Sequence, residues 1–197
     1  GKGVEVVLVR DLDMGSHNIT LSTSFESISN CTFNGNNHTI ANYTLSNKQY
    51  AGLLPNAIRV TVKNLTLKNA NITAVNDGSN NAYAGGFIGR AYGTNVVENC
   101  TLENSIVQGI NKVGGIAGFQ AENGISIRKC TVKGSTIKVD TENQEYGQCG
   151  GILGYIGSVA AANEVSGNFI INTKVEAPAN TNIGEEHRKS SICVGTL

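Results

Sequence analysis

Apolar and polar residues alternate along much of this chain, in runs the length of β-strands. Cys100 and Leu102 alternate with Thr101 and Glu103, and Cys130 and Val132 alternate with Thr131 and Lys133. A period of two sends one set to one face and the other set to the opposite face. Ser105-Ile106-Val107 and Thr136-Ile137-Lys138-Val139 supply a further short strand after each. Gly, Asn and Asp fall between the runs, where turns need them. No stretch joins caps to a 3.6-residue period. Residues 159–165 come nearest to a helix and read as a loop. The pattern predicts an all-β chain.

The alternation itself repeats. Four stretches resemble each other: Ala51-Gly52-Leu53-Leu54-Pro55, Gly85-Gly86-Phe87-Ile88-Gly89, Gly114-Gly115-Ile116-Ala117-Gly118 and Gly150-Gly151-Ile152-Leu153-Gly154. A worn fifth is Ser191-Ile192-Cys193-Val194-Gly195. Taken from Gly52, Gly86, Gly115 and Gly151, the steps are 34, 29 and 36 residues. A second motif follows each of the four: Asn64-Leu65-Thr66-Leu67, Asn99-Cys100-Thr101-Leu102, Lys129-Cys130-Thr131-Val132 and Asn168-Phe169-Ile170-Ile171. Asn30-Cys31-Thr32-Phe33 precedes them all. A unit of roughly 30 residues cannot bury its own apolar face, but stacked units cover one another.

The predicted architecture is therefore a parallel β-helix (β-solenoid) of about four to five coils. It fills a single domain over residues 1–197, with a cap or first strands at 3–30, coils at 31–175 and a last coil or cap at 176–197. Stacking would place equivalent side chains in columns about 4.8 Å apart. Cys31, Leu65, Cys100, Cys130 and Phe169 are expected in one inward column. Phe33, Leu67, Leu102, Val132 and Ile171 are expected in the next. Asn30, Asn64, Asn99 and Asn168 are expected as a turn ladder, broken by Lys129. Each double Gly either supplies positive φ or lets backbones pack closely. The stretches 74–82, 139–149 and 176–190 lengthen their copies just before the Gly motif, so they should share one edge.

Composition narrows the function classes. Lys plus Arg equals Asp plus Glu at 15 each, so no net field draws nucleic acid or an anionic membrane. No basic stripe with interleaved aromatics points to nucleic acid either. No apolar run reaches the roughly 18 residues of a membrane span. A chain beginning Gly1-Lys2-Gly3 fits a trimmed leader and leaves room for a lipid anchor upstream. The five cysteines lack CxxC spacing, which argues against a zinc site or a disulfide framework.

The four Gly motifs resemble the GLUG repeat, named for Gly-Leu-unspecified-Gly. Leu8-Val9-Arg10-Asp11-Leu12-Asp13-Met14 resembles the strand that often precedes a first coil. Phe33-Asn34-Gly35-Asn36-Asn37-His38-Thr39-Ile40 resembles the opening turn of many parallel β-helices. The resemblance covers roughly residues 5–197. It implies a solenoid in a surface or secreted bacterial protein, in an extracellular or outer-surface setting, and implies no activity.

Several candidate sites have plainer roles. Cys31, Cys100 and Cys130 fit small apolar wedges better than reactive thiols. Asn-x-Thr sequons begin at Asn18, Asn30, Asn37, Asn42, Asn64, Asn71 and Asn99, and corner Asn followed by outward Thr explains them without sugar. Asp11 and Asp13 share a strand face, which reads as a solvated edge rather than a calcium cage. Glu185, Glu186 and His187 read as a charged loop, and His17 and His38 as structural. Asp140, Glu142 and Glu145 are the candidate carboxylates, crowded on one long loop. Tyr83, Tyr92, Tyr146 and Tyr155 are the candidate aromatic lining.

The expectation is a non-catalytic, adhesin-like module. It would bind a glycan or a host or extracellular-matrix protein through one edge, with no cofactor, no metal and no nucleic acid. Two alternatives stay open. One is a carbohydrate-active β-helix enzyme, which needs two carboxylates in a groove. The other is a structural stalk of a larger surface protein.

Overall fold

The computed structural model describes residues 3–15, 18–21, 27–78, 81–140, 147–157 and 163–177. Those residues contain strands and no helix. The coil beginning at Asn95 shows the plan. It runs through Asn95–Glu98, Thr101–Glu103, Ile106–Gly109, Lys112–Gly114 and Ala117–Glu122. These five positions are faces 1 to 5. Each strand pairs in parallel with its equivalents in the coils before and after, as in Val97↔Val62 and Val97↔Ile127. Faces 1 and 2 merge into a ten-stranded sheet, and faces 3, 4 and 5 form sheets of six, four and five strands. The fold is a parallel β-solenoid.

Three corners of the coils are turned by residues in the left-handed region, singly except in the first coil, where Asn36 and Asn37 share the corner between faces 1 and 2. Asn30, Arg59, Gly93 and Asn123 turn face 5 into face 1, at φ 53°, 53°, 73° and 62°. Asn64, Asn99, Lys129 and Gly167 turn face 1 into face 2. Asn42, Asn69, Asn104, Gly134 and Asn172 turn face 2 into face 3. Asn and Gly dominate because they enter this region at least cost. The stacked amides also bond along the axis: Asn99 Nδ2 donates to Asn64 Oδ1 at 2.8 Å, and Asn69 Nδ2 to Asn42 Oδ1 at 3.3 Å. Inward polar residues next to the corners take up N–H groups where the ladders break. Asn95 Oδ1 accepts from Val60 N–H at 3.0 Å, and Ser105 Oγ accepts from Ala70 N–H at 2.9 Å. Buried backbone donors need such partners.

The core is a stack of inward columns. Ile40, Leu67, Leu102 and Val132 form one, and Leu45, Ile72, Val107 and Ile137 another. Leu65, Cys100 and Cys130 stack as expected, buried. Two end assignments differ from expectation. Thr32 pairs Thr61, so Cys31 lies level with Val60, Phe33 level with Val62, and Asn30 at the corner of Arg59. At the other end Thr131 pairs Phe169 and Val132 pairs Ile170. Phe169 and Ile171 therefore point outward, Ile170 points inward, and Asn168 occupies the cysteine column, where its Oδ1 accepts from Cys130 N–H at 2.8 Å. Gly167 takes the corner that Asn168 was expected to hold. A slip of one residue exchanges the two faces of a strand. The 159–165 stretch, read as loop, ends in a strand at Glu164–Ser166; its residues 159–162 lie outside the described set.

Asp11 and Asp13 do more than edge a strand. Asp11 Oδ1 accepts from Thr39 N–H at 2.9 Å and meets His38 Nδ1 at 3.1 Å. Asp13 Oδ1 accepts from Asn42 Nδ2 at 2.8 Å. Both carboxyls are held below the ordinary carboxylate value, Asp11 first by the Thr39 amide and Asp13 first by the Asn42 side chain. They fasten the first rung to the coil that follows.

Candidate functional site

The Gly motif joins face 4 to face 5, and its glycines act through close approach. None of Gly85, Gly86 and Gly89 has positive φ. A Cβ on Gly89 would sit 2.7 Å from the carbonyl oxygens of Ala51 and Pro55. One on Gly118 would sit 2.6 Å from those of Ala84 and Gly89. Backbone meets backbone there, and no side chain fits. Gly52 aligns with Gly85 rather than Gly86, because Ala51 pairs Ala84 while Leu54 pairs Ile88. The first copy is one residue shorter at this turn.

This turn gathers side chains that lie outside the core. On face 4, Tyr50, Tyr83, Lys112 and Gln148 are stacked in register. On face 5, Arg90, Phe119 and Tyr155 are stacked likewise. Their chain neighbours Ala84 and Ala91 belong to the core, so alternation turns these residues away from it. The two rows touch. The rings of Tyr50 and Tyr83 stack at 5.4 Å, Tyr83 meets Phe119 edge-on at 4.9 Å, and Phe119 stacks on Tyr155 at 5.8 Å. These spacings suit attractive ring geometry. Arg90 lies 5.5 Å over Tyr50 and 5.6 Å over Tyr92. Lys112 Nζ lies 4.8, 4.9 and 5.2 Å from the rings of Tyr83, Phe119 and Tyr155.

Tyr50 and Tyr83 are 8% and 6% exposed, so they form the floor of the row. Arg90, Tyr92, Lys112, Phe119 and Tyr155 are half-buried and form its accessible part. Burial pushes the Lys112 ammonium down from its ordinary value. Burial also pushes the Tyr83 phenol up, reinforced by Tyr50 and opposed by Arg90. The Glu122 carboxylate beside Tyr92 raises that phenol.

Of the expected site residues, Tyr83, Tyr92 and Tyr155 come together here. Asp140 lies apart, in a cleft of about 230 Å³ next to face 3, with Thr73, Val75, Asn76 and Gln108. Tyr146, Glu142 and Glu145 lie outside the described residues. The described parts of the stretches 74–82 and 139–149 both connect face 3 to face 4, at one edge as expected. Tyr50, Arg90, Lys112 and Phe119 were not anticipated. Their signal is positional: Tyr83 and Lys112 stand two residues before a double Gly. Arg90, Phe119 and Tyr155 directly follow the closing Gly of the motif.

The family described as the GLUG motif matches residues 80–107. That span holds the Tyr83 strand, the Gly turn, Arg90, and the face 1 and 2 strands through Leu102. Residues 80–107 carry a GLUG motif. The structure gives the GLUG glycines their reason, which is backbone contact between successive coils. The chain is 34% identical over 111 residues to halomucin from Haloquadratum walsbyi, across 51% of this chain and 1% of halomucin. It is similar in fold to a candidate immunoglobulin A1 protease from Bacteroides ovatus, with a TM-score of 0.51 and 20% identity. That likeness covers 90% of this chain and 61% of the other.

Proposed function

We propose that this chain is a non-catalytic module of a surface or secreted protein, and that it binds a glycan at the accessible Phe119–Tyr155 end of the Tyr50–Tyr83–Phe119–Tyr155 row. The row itself carries the reading: four rings follow the stacking axis outside the core, with their accessible end at Phe119 and Tyr155. Sugar rings present apolar C–H faces that pack well against aromatic side chains, and the buried Tyr50 and Tyr83 hold the accessible rings rigidly in place. The GLUG motif and the likeness to halomucin support a surface or secreted setting. A host or extracellular-matrix protein is the other partner class such an edge suits.

An enzymatic reading has weaker support. Two-carboxylate sugar cleavage places its acid and base about 5–9.5 Å apart across the bond. Among the described residues, the cleft beside Asp140 is lined by that one carboxylate. A spacer reading draws on a specific observation, the near-complete burial of Tyr50 and Tyr83 in their own stack.

A glycan and matrix-protein array, in calcium and in chelator, tests the proposal. Binding should appear with the intact chain and fall at least about tenfold for Tyr155→Ala, with the melting temperature little changed. Binding that ignores Tyr155→Ala and Phe119→Ala would move the site elsewhere. A blank array would favour the spacer.

A further inference from the structure

The two cations on the aromatic row point to the chemical class of its ligand. Five cations on the solenoid surface, Lys63, Lys68, Arg128, Lys133 and Lys174, are matched by carboxylates, while Arg10, Lys48, Arg59, Lys129 and Lys138 take part in no ion pair among the described residues and lie over no ring. Lys63 pairs with Glu5 at 3.4 Å, Lys68 and Lys133 share Glu103, and Arg128 lies between Glu98 and Glu164. Arg90 and Lys112 take part in none of the ion pairs among the described residues. Both are held over ring faces instead.

Lys112 is the sharper case. Three rings surround its ammonium within 5.2 Å. Among the described residues its hydrogen-bonding partner is Asn111 Oδ1, at 3.3 Å. An ammonium has three donors, so two remain for a ligand. Ring faces attract a cation but do not neutralise it. Partial burial also strips water from the charge, and desolvation depresses its pKa. A half-desolvated positive charge with spare donors suits an anion.

We infer that the ligand is an acidic saccharide, lying against the accessible parts of Phe119 and Tyr155 and bound through its carboxylate or sulfate to Lys112, with Arg90 as a second cation along the row. This rests on the glycan reading above. Glu122 stands beside Tyr92 at the Arg90 end, so it disfavours an anion there. The anion is therefore assigned to the Lys112–Tyr155 end. With zero net charge on the chain, selectivity comes from this local pair rather than from a general field.

The test is binding of the whole chain to dextran, dextran sulfate and polygalacturonate, by calorimetry at about 0.1 M salt. These are neutral, sulfated and carboxylated polymers. At least one acidic polymer should bind about tenfold or more tighter than dextran, as a charge-assisted contact allows. The double variant Arg90→Gln/Lys112→Gln should lose that preference, Lys112→Arg should keep most of it, and Lys138→Gln on face 3 should leave it unchanged. Equal, Tyr155-dependent binding of dextran and the acidic polymers overturns the acidic class and leaves the glycan reading standing. A preference weakened as much by Lys138→Gln as by the double variant also overturns it, since any surface cation then serves. No binding to any polymer overturns both. If melting shows the double variant unfolded, Lys112→Gln alone, compared with Lys112→Arg, decides.

Discussion

At the scale of single residues, the stack is set by atoms that leave no room. A methyl on Gly118 would press on the carbonyl oxygens of Ala84 and Gly89, both backbone and unable to swing away. Gly118→Ala should cost about 3 kcal/mol, the upper end for overpacking, read as a fall in urea midpoint. Gly78, with nothing within 4 Å of its Cβ position but φ of 94°, should cost only about 1 kcal/mol on the same change. Asn95 is a different kind of constraint. It accepts from Val60 N–H and donates to the carbonyls of Tyr92 and Gly93. Asn95→Ala orphans buried groups and should cost about 2–3 kcal/mol in the same assay. Cys149 adds a pH signature. Burial pushes its thiol up to about 12 from 9.0. A group with a raised folded pKa contributes stability that is complete below its unfolded value and is lost as pH rises toward the folded one. Stability should thus hold to about pH 9 and then decline, this thiol adding up to about 1.4 kcal/mol per pH unit. Cys149→Ala should make the decline shallower in denaturation curves taken from pH 8 to 10.5. An unchanged slope would assign the decline to other groups, such as Tyr43, whose phenol burial also pushes up to about 12.

At the scale of the strand, register decides which side chain matters. Phe169 is 52% exposed, while Ile170 is packed against the core and reaches the site where Gly151 would carry a Cβ. Ile170→Ser should therefore destabilise by about 1–3 kcal/mol. Phe169→Ser should stay within about 0.5 kcal/mol, as surface changes do. The opposite order in urea titrations would restore the register that motif matching suggests. The corner-Asn match misleads at the first coil for one reason. A corner needs a left-handed residue, and more than one corner of each coil accepts Asn. The motif around Asn30 therefore matches Asn64 in letters while sitting at the corner of Arg59.

At the scale of the whole molecule, each coil's strands need a neighbour on both sides. Val4–Val7, Leu12–Asp13, Asn18–Leu21 and Ser27–Ser29 pair with the coil that follows and cover its edge. Deleting residues 1–30 would bare the open side of Cys31–Ala41, Thr44–Lys48 and Leu54–Ile58. Unpaired parallel edges template association, so the truncated chain should form oligomers or aggregates by light scattering. A soluble monomer with an intact melt would argue against a capping role for residues 3–30. The same stacking makes the aromatic row continuous. Its ring contacts join residues of different coils, so a row of this kind lengthens only as coils are added.

The sequence alone determined the repeat, the strand alternation, the all-β class and the inward columns through Leu67, Leu102 and Val132. Those features are local or recur at a regular step, and period-two burial is written into each strand. Tertiary structure decided the end registers, the role of the glycines and the composition of the candidate site. Tyr83 meets Phe119, and Lys112 meets Tyr155, across distances of a whole coil along the chain. Copies differ in length, so letter matching misaligns a strand by a residue wherever a turn gains or loses one. Whether a tyrosine lies buried on the floor of a row or exposed at its end depends on which neighbour the stack brings above it. No local pattern encodes that choice.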